Sequence, residues 1–342
     1  MRQNEQSFDY EFAILGAGAI GTIIAAHLAR AGHRVAVLAR GRRAAQLREQ
    51  GLRVEGLAQI ETRADVIDDP ARLASAGVFM VATKTTGTAD ALATYRHARF
   101  GTVLSFQNGV LKEELLINAF GADRTLGALA DTSGELQPSG SVLFTRNVAL
   151  IVGELAGGVS PRAQRLAGTI DATGLRAAAV PDVLSLEWSK FVAWAPLIIV
   201  SVLSRAETWR FLKDHDTAWL FVRIMREMGA LAEAMRIPLT DRAMIPVQSL
   251  LGIDEAAAIA RLQQTGNAYE ANAPHHRMSG LQDVDAGRTL EVEDTIGYAV
   301  RKAESLSVAM PLTSALYRLV AATGRISAAR AVEALDDKVG VV

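Results

Sequence analysis

The feature that most constrains this chain is a glycine motif near its N-terminus, with the spacing G-x-G-x-x-G. An apolar segment, Tyr10 to Leu15, precedes the motif and has the length and content of a buried parallel strand. Residues 19–31, which follow it, carry apolar side chains at helical intervals. In a strand–turn–helix unit, the three glycines permit a tight turn, close approach of a pyrophosphate, and close packing of helix on strand. An ordinary turn between a strand and a helix is the alternative, but this context favours dinucleotide binding at the helix N-terminus. The residues predicted to contact the dinucleotide are Gly16, Ala17, Gly18, Ala19, Ile20 and Gly21.

The end of the next predicted strand, residues 34–39, indicates which dinucleotide is bound. An enzyme that uses the unphosphorylated cofactor is expected to have Asp or Glu at this position, to accept hydrogen bonds from the adenosine ribose. Here the strand is followed by Arg40, Arg42 and Arg43. Guanidinium groups match phosphate oxygens and a carboxylate would repel them, so the sequence favours NADP(H). The alternative is a solvated basic turn at the start of a helix.

The amino-acid composition limits which binding partners and which cellular compartment we expect. The 342 residues include 36 Lys and Arg against 37 Asp and Glu, and this balance argues against a nucleic-acid partner. There is no cysteine, which excludes a thiol nucleophile and fits a reducing compartment, so we expect a cytoplasmic protein. The polar residues 1–9 are not typical of a signal peptide. The longest apolar run, Phe191 to Leu203, is interrupted by Pro196 and Ser201 and is shorter than the about 20 residues that span a bilayer. It is predicted to be a buried helix, with no membrane partner.

Alternating strand and helix signals continue to about residue 181. Two further apolar strands, residues 77–83 and 101–107, end next to Lys84 and Asn108. Because the carboxyl ends of parallel strands share one edge of a sheet, we expect the glycine turn, Arg40, Lys84 and Asn108 to line one cleft. Residues 126–132, 141–145 and 148–153 are predicted as three more strands. The chain is thus predicted to be α/β, with a doubly wound, Rossmann-type NADP-binding domain over 1–181 and an all-helical substrate or dimerisation domain over 182–342.

One cation stands in an otherwise apolar helix at the start of the second domain. Lys190 shares a helical stripe with Trp194 and Ile198, four and eight residues further on. A lysine in a partly closed apolar cleft can serve as a proton donor, because such surroundings lower its pKa. The alternative is a lysine that pairs with Glu187 and extends to water. Farther along, His275 and His276 are adjacent and lack partners at ligand spacing, so no metal site is predicted.

Together these motifs resemble the ketopantoate reductase family over nearly the whole chain. The family reduces 2-dehydropantoate, a 2-oxo acid, to pantoate with NADPH in the pathway to pantothenate. The resemblance implies a Rossmann domain followed by a helical domain, with the active site between them. The motifs that carry it are the glycine turn, Arg40, Lys84, Gln107-Asn108-Gly109, Glu187-Trp188-x-Lys190, Ser279-x-Leu281-Gln282-Asp283, Gly287-Arg288-x-x-Glu291 and Pro311.

The resemblance assigns roles position by position. It implies that Lys190 is the general acid and Glu291 the active-site carboxylate, and that Asn108 and Ser279 contact the substrate. The glycine turn, Arg40, Lys84 and Asn108 are implied cofactor contacts. The chain departs from the family where two asparagines usually follow the lysine by one and two helical turns. Trp194 and Ile198 occupy those positions and become the candidate substrate contacts.

This departure leaves the substrate open. The main expectation is reduction of a small 2-oxo acid to a 2-hydroxy acid, nominally 2-dehydropantoate. A reductase of a more apolar 2-oxo acid is one alternative, and a non-catalytic NADP-binding regulator is another. The sequence gives no oligomeric state, and a homodimer is the assembly considered.

Overall fold

The computed structural model describes residues 7–339. The chain forms two compact units, the first ending at Leu184 and the second beginning at Ser185. The first unit combines strands with helices, whereas the described part of the second unit contains helices and no strand. The α/β fold class predicted from the sequence is therefore confirmed.

The first unit contains ten strands and five α-helices within the described residues. The strands are β1 (Tyr10–Leu15), β2 (Val35–Leu38), β3 (Leu52–Gly56), β4 (Ile60–Thr62), β5 (Asp65–Ile67), β6 (Ser75–Val81), β7 (Arg99–Ser105), β8 (Gly127–Leu136), β9 (Val142–Gly153) and β10 (Ala177–Ala179). The helices are α1 (Ala19–Arg30), α2 (Gly41–Gln50), α3 (Thr88–Ala93), α4 (Leu111–Phe120) and α5 (Pro161–Asp171).

The first sheet is parallel throughout and has the strand order β5-β2-β1-β6-β7. Side chains of its central strand alternate between two apolar clusters, as the twofold repeat of a strand requires. Phe12 and Ile14 pack in the cluster that includes α1, and Ala13 and Leu15 pack in the cluster on the other face. A strand segment buried on both faces is continuously apolar, and the run from Phe12 to Leu15 made β1 recognisable in the sequence.

The second sheet corrects one sequence prediction. Its strands run in the order β10-β9-β3-β4, with β8 paired to β9. Residues 141–145 and 148–153 are predicted as two strands, but residues 142–153 form the single strand β9. Arg146 and Asn147 lie between the two predicted segments, and the Arg146 Nε lies 2.6 Å from Asp131 Oδ1 on β8. A cross-strand ion pair therefore forms in the gap between the two predicted segments.

Helix α1 shares its apolar cluster with both sheets. Ile23, Ile24 and Leu28 are fully buried in the cluster that holds Ile14 of β1 and Phe144 of β9. Contact with the second sheet is close, because a Cβ built on Gly134 of β8 would lie 2.8 Å from the Ile23 Cδ1. Packing from both sides fixes the helix that follows the glycine turn.

The second unit is formed by helices, the first of which begins at its boundary. Those described are α6 (Val183–Ser204), α7 (Thr208–Lys213), α8 (His215–Ala234), α9 (Val247–Leu251), α10 (Glu255–Asn272), α11 (Ser279–Asp285), α12 (Ile296–Ser305) and α13 (Pro311–Val339). The apolar run of residues 191–203 lies inside α6. By length and composition α6 could cross a bilayer, but 89% of its most apolar window is buried, as in the core helix of a folded domain.

A carboxylate from α8 holds the start of α13. The first backbone N–H groups of a helix have no partner inside the helix. Glu227 accepts hydrogen bonds from the Leu312 N (3.0 Å) and the Thr313 N (2.7 Å). Its negative charge also suits the positive end of the α13 dipole. One side chain therefore ties two helices of the second unit together.

We expect Glu227→Ala to lower the free energy of unfolding by about 1–3 kcal/mol, because two partly buried N–H groups lose their acceptor. Chemical denaturation measures this loss. Glu227→Gln should lose less, since it keeps one acceptor oxygen, and Glu233→Ala is a matched control on the exposed side of the same helix. An alanine variant as stable as the unmutated protein would show that the contact contributes nothing.

Candidate active site

Four segments predicted to contact the cofactor follow neighbouring strands of the first sheet. The glycine turn follows β1, and Arg40 follows β2. Lys84 and Asn108 come shortly after β6 and β7. Because β2, β1, β6 and β7 are adjacent and parallel, these four segments lie at the carboxyl edge of one sheet. Strands β2 and β5 lie on one side of β1, and the later strands β6 and β7 lie on its other side. The strand order therefore changes direction at β1, where α/β proteins form a crevice that binds ligands.

The three glycines of the turn are required for three different reasons. Gly16 has φ of +105°, and a Cβ built on it would lie 2.7 Å from the Thr83 Cγ2. A Cβ on Gly21 would lie only 1.9 Å from the Gly16 carbonyl oxygen, so α1 packs directly against the turn. Gly18 has no atom within 4 Å of the Cβ position. Two glycines thus close the turn, and the third leaves open space where a ligand can approach the backbone.

The three arginines after β2 have different surroundings. Arg40 is exposed, and its charge partly offsets the rise that burial causes in the pKa of the Tyr95 hydroxyl. Arg42 is also exposed. Arg43 is half-buried, burial lowers its pKa, and it donates hydrogen bonds to the glycine turn and to a distant hairpin. The expectation of three guanidiniums available to a 2′-phosphate is therefore corrected: the Arg43 donors are used inside the fold.

A buried amide links the segments that carry Lys84 and Asn108. The Gln107 Nε2 donates to the Lys84 carbonyl oxygen (2.9 Å) and to the hydroxyl oxygens of Thr83 (3.0 Å) and Thr88 (2.8 Å). Its Oε1 accepts from the Ser105 hydroxyl at 3.0 Å. The sequence singled out Gln107 only as part of a motif and gave it no role. Its position before Asn108, at the end of a buried strand, was the available signal.

The predicted stripe on α6 contains residues of unequal exposure. Lys190 and Trp194 are half-buried, and Trp194 stacks on Phe191 with ring centroids 6.3 Å apart. Ile198 is only 1% exposed. A Cβ built on Gly280 of α11 would lie 3.2 Å from the Ile198 Cγ2, so the two helices approach closely at this point. Ile198 is thus mainly a packing residue. Of the two residues that replace the family's usual asparagines, Trp194 is the more accessible.

The polar block of residues 275–291 is more ordered than a solvated loop. It contains α11, whose first residue, Ser279, is exposed. Asp283 is 7% exposed and accepts from the Arg288 Nε at 2.7 Å. Asp285 pairs with both Arg205 and Arg277. The ion pairs of these two carboxylates therefore stabilise the helix that carries Ser279.

Glu291 follows α11 and is half-buried. Its carbonyl oxygen accepts from the Thr295 hydroxyl at 2.6 Å, which fixes the backbone of this residue just before α12. Among the described residues, no group of three or more His, Asp and Glu side chains could hold a metal ion. Lys190, Trp194, Ser279 and Glu291 all belong to the second unit, whereas the residues at the sheet edge belong to the first.

Two family models match the chain in sequence. Residues 12–157 match ketopantoate reductase PanE/ApbA, and residues 182–324 match its C-terminal model. A 2-dehydropantoate 2-reductase of Mycobacterium tuberculosis is 30% identical over 91% of this chain and 96% of its own length. That of Archaeoglobus fulgidus is 28% identical over 90% of this chain and 95% of its own length.

Solved structures with the same fold extend over both units. One is the ternary structure of D-mandelate dehydrogenase with NADH and anilino(oxo)acetate, with a TM-score of 0.78 and 18% identity, covering 92% of this chain and 99% of that chain. Such a low identity supports the fold alone. The family models, in contrast, cover most of the sequence and include the glycine turn, Lys190 and Glu291. The chain belongs to the ketopantoate reductase family.

Proposed function

We propose that this chain is an NADPH-dependent reductase of a 2-oxo acid, and that its nominal reaction is reduction of 2-dehydropantoate to pantoate. The observation that carries the proposal is the carboxyl edge of the first sheet. There the open backbone at Gly18 lies on a segment next to the one that carries Arg40. Membership of the family and its relatives named 2-dehydropantoate 2-reductase support the choice of reaction. The proposed location is the cytoplasm, in keeping with the absence of cysteine, and a homodimer stays a prediction.

The groups at the sheet edge fit a phosphorylated dinucleotide. The open space at Gly18 admits a pyrophosphate, and the N-terminus of α1 attracts its negative charge. Arg40 is exposed, so its guanidinium is accessible to a 2′-phosphate. Lys84 and Asn108 are held on adjacent segments by Gln107 and are proposed as the further cofactor contacts. When bound, the nicotinamide supplies a hydride for the carbonyl carbon of the substrate.

The proton is proposed to come from the second unit. Lys190 lies half-buried on an apolar helix, and we assign it to proton donation at the developing alkoxide oxygen. Glu291 is assigned to orienting Lys190 or the substrate. Asn108 and Ser279 are assigned to substrate contact. Since a carbonyl reduced by hydride becomes an alkoxide, one proton donor completes the formation of a 2-hydroxy acid.

The proposal is tested by the fall of NADPH absorbance in the presence of 2-dehydropantoate and a panel of other 2-oxo acids. We expect turnover with at least one acid, and we expect Lys190→Ala to lower kcat by about 10²–10⁴-fold, as the loss of a general acid does. The NADPH dissociation constant and the melting temperature of this variant should stay near those of the unmutated protein. Full turnover by Lys190→Ala would show that the proton comes from another group. Steady absorbance with every acid, with NADPH still bound, would instead favour a cofactor-binding regulator.

Cofactor choice is assigned to Arg40. Loss of a charge-assisted contact to phosphate costs about 1.5–3 kcal/mol, so Arg40→Ala should raise the NADPH dissociation constant about ten- to a hundredfold. NADH binding should change little, because NADH has no 2′-phosphate. Fluorescence titration with both cofactors measures the difference. Arg165→Ala, an exposed arginine on α5, removes the same charge elsewhere in the first unit and should change neither constant. Equal affinity of the unmutated protein for NADPH and NADH would refute NADP preference.

Substrate preference is assigned mainly to Trp194. Its ring is partly exposed, whereas Ile198 is packed against Gly280. An apolar pocket discriminates by only about 1–3 kcal/mol for each methylene, so selectivity should be weak and should favour acids with apolar tails.

We expect Trp194→Asn to shift the ratio of kcat/KM values toward 2-dehydropantoate, relative to an aromatic 2-oxo acid, by about tenfold. Ile198→Asn should mainly lower the melting temperature, because it places an amide in a close helix contact. Steady-state kinetics with both acids, and a melting curve for each variant, distinguish the two effects. An unmutated protein that is efficient with 2-dehydropantoate and inactive with apolar acids would contradict a role of Trp194 in preference.

A further inference from the structure

Arg43 is bonded to the turn that precedes α1. Its Nε donates to the Ala17 carbonyl oxygen at 2.9 Å, and its Nη2 donates to the Thr22 hydroxyl at 3.0 Å. The Thr22 hydroxyl in turn donates to the same Ala17 oxygen at 3.2 Å. The guanidinium and this hydroxyl therefore converge on one peptide group inside the glycine motif.

The orientation of that peptide group matters for anion binding. In a trans peptide, the C=O and the N–H point in opposite directions. When the Ala17 oxygen is held by Arg43, the N–H of Gly18 is directed away from Arg43. Gly18 is also the residue whose Cβ position is open. The hydrogen bond from Arg43 thus fixes the direction of a backbone donor, and this donor belongs to a residue with open space beside it.

The same guanidinium holds the hairpin between β8 and β9. Its Nη1 donates to the Gly140 carbonyl oxygen and to the Gln46 Oε1, both at 2.9 Å. Gln46 donates to the Ser139 carbonyl oxygen at 3.1 Å. An arginine side chain has five N–H donors, and four of them are used in these contacts. Arg43 thus joins α2, the glycine turn and the second sheet.

We propose that Arg43 is a positioning residue of the dinucleotide site, which orients the peptide between Ala17 and Gly18 toward a pyrophosphate and does not bind the 2′-phosphate. This inference rests on the proposed function, because it assumes a dinucleotide at the turn. The proposal gives different roles to two arginines that are only three positions apart in the sequence. Arg40 distinguishes NADPH from NADH, whereas Arg43 serves the part that the two cofactors share.

The test compares dissociation constants for NADPH and NADH in the full-length protein. Arg43→Ala and Arg43→Lys should raise both constants by the same factor, about tenfold or more, and should leave their ratio unchanged. Lysine keeps the charge but cannot reach several acceptors at once, so it should not restore binding. At saturating NADPH, kcat should stay within about twofold, because the nicotinamide end is untouched.

Two further variants separate positioning from general damage to the fold. Arg48→Ala, on the same helix, loses an ion pair with Asp68 and should change neither constant. Thr22→Val removes the hydroxyl that shares the Ala17 oxygen and should raise both constants by a smaller, equal factor. If Arg43→Ala fails to fold, Arg43→Lys and Thr22→Val carry the test.

Three results would overturn the inference. The first is a loss of NADPH binding alone in the Arg43 variants, which would make Arg43 a phosphate ligand. The second is unchanged binding of both cofactors in folded Arg43 variants, and the third is an equal loss in Arg48→Ala. If the unmutated protein bound neither cofactor, the proposed function would fail as well. Normal binding by the unmutated protein with an NADPH-selective loss in the variants would overturn the positioning role alone.

Discussion

The contact between α1 and the turn before it is the constraint on which the first unit depends. A Cβ on Gly21 would overlap the Gly16 carbonyl oxygen, so only glycine lets the helix begin this close to the end of β1. The buried face of α1 then packs in a cluster shared by the parallel sheet and the second sheet. Since the helix is fixed on both sides, its N-terminus is directed at the carboxyl edge of the parallel sheet. The location of the candidate cofactor site follows from this packing.

Polar side chains set the finer geometry of that edge. Gln107 is buried and joins the segments after β6 and β7, and Arg43 joins the glycine turn to the hairpin between β8 and β9. Both side chains donate their hydrogen bonds to oxygen atoms of the protein itself. Arg40 is exposed at the same edge, and it is the residue proposed to contact the ligand there. A division between groups that shape the site and groups that bind in it is expected, because a preorganised site loses less entropy on binding.

Local patterns predicted the fold class, the parallel strands and the turn, because continuous apolar runs and glycine spacing depend on neighbours in sequence. They could not predict contacts between distant segments. Strand β9 pairs with β8 through Arg146, where two separate strands were predicted, and Ile198 packs closely against Gly280 in a helix contact. Arg43 resembled Arg40 in the sequence, but its acceptors include the carbonyl oxygen of Gly140, almost a hundred residues later. The roles of such residues depend on tertiary packing, which a single sequence does not contain.

The central claim is that the carboxyl edge of the parallel sheet binds NADPH, with the pyrophosphate at the glycine turn. A crystal structure of the protein with bound NADP⁺ tests it most directly. We predict the pyrophosphate within hydrogen-bond distance of the Gly18 N, the 2′-phosphate on Arg40, and Arg43 still bonded to Ala17 and Gly140. A dinucleotide bound elsewhere, or one whose 2′-phosphate is held by Arg43, would contradict the account.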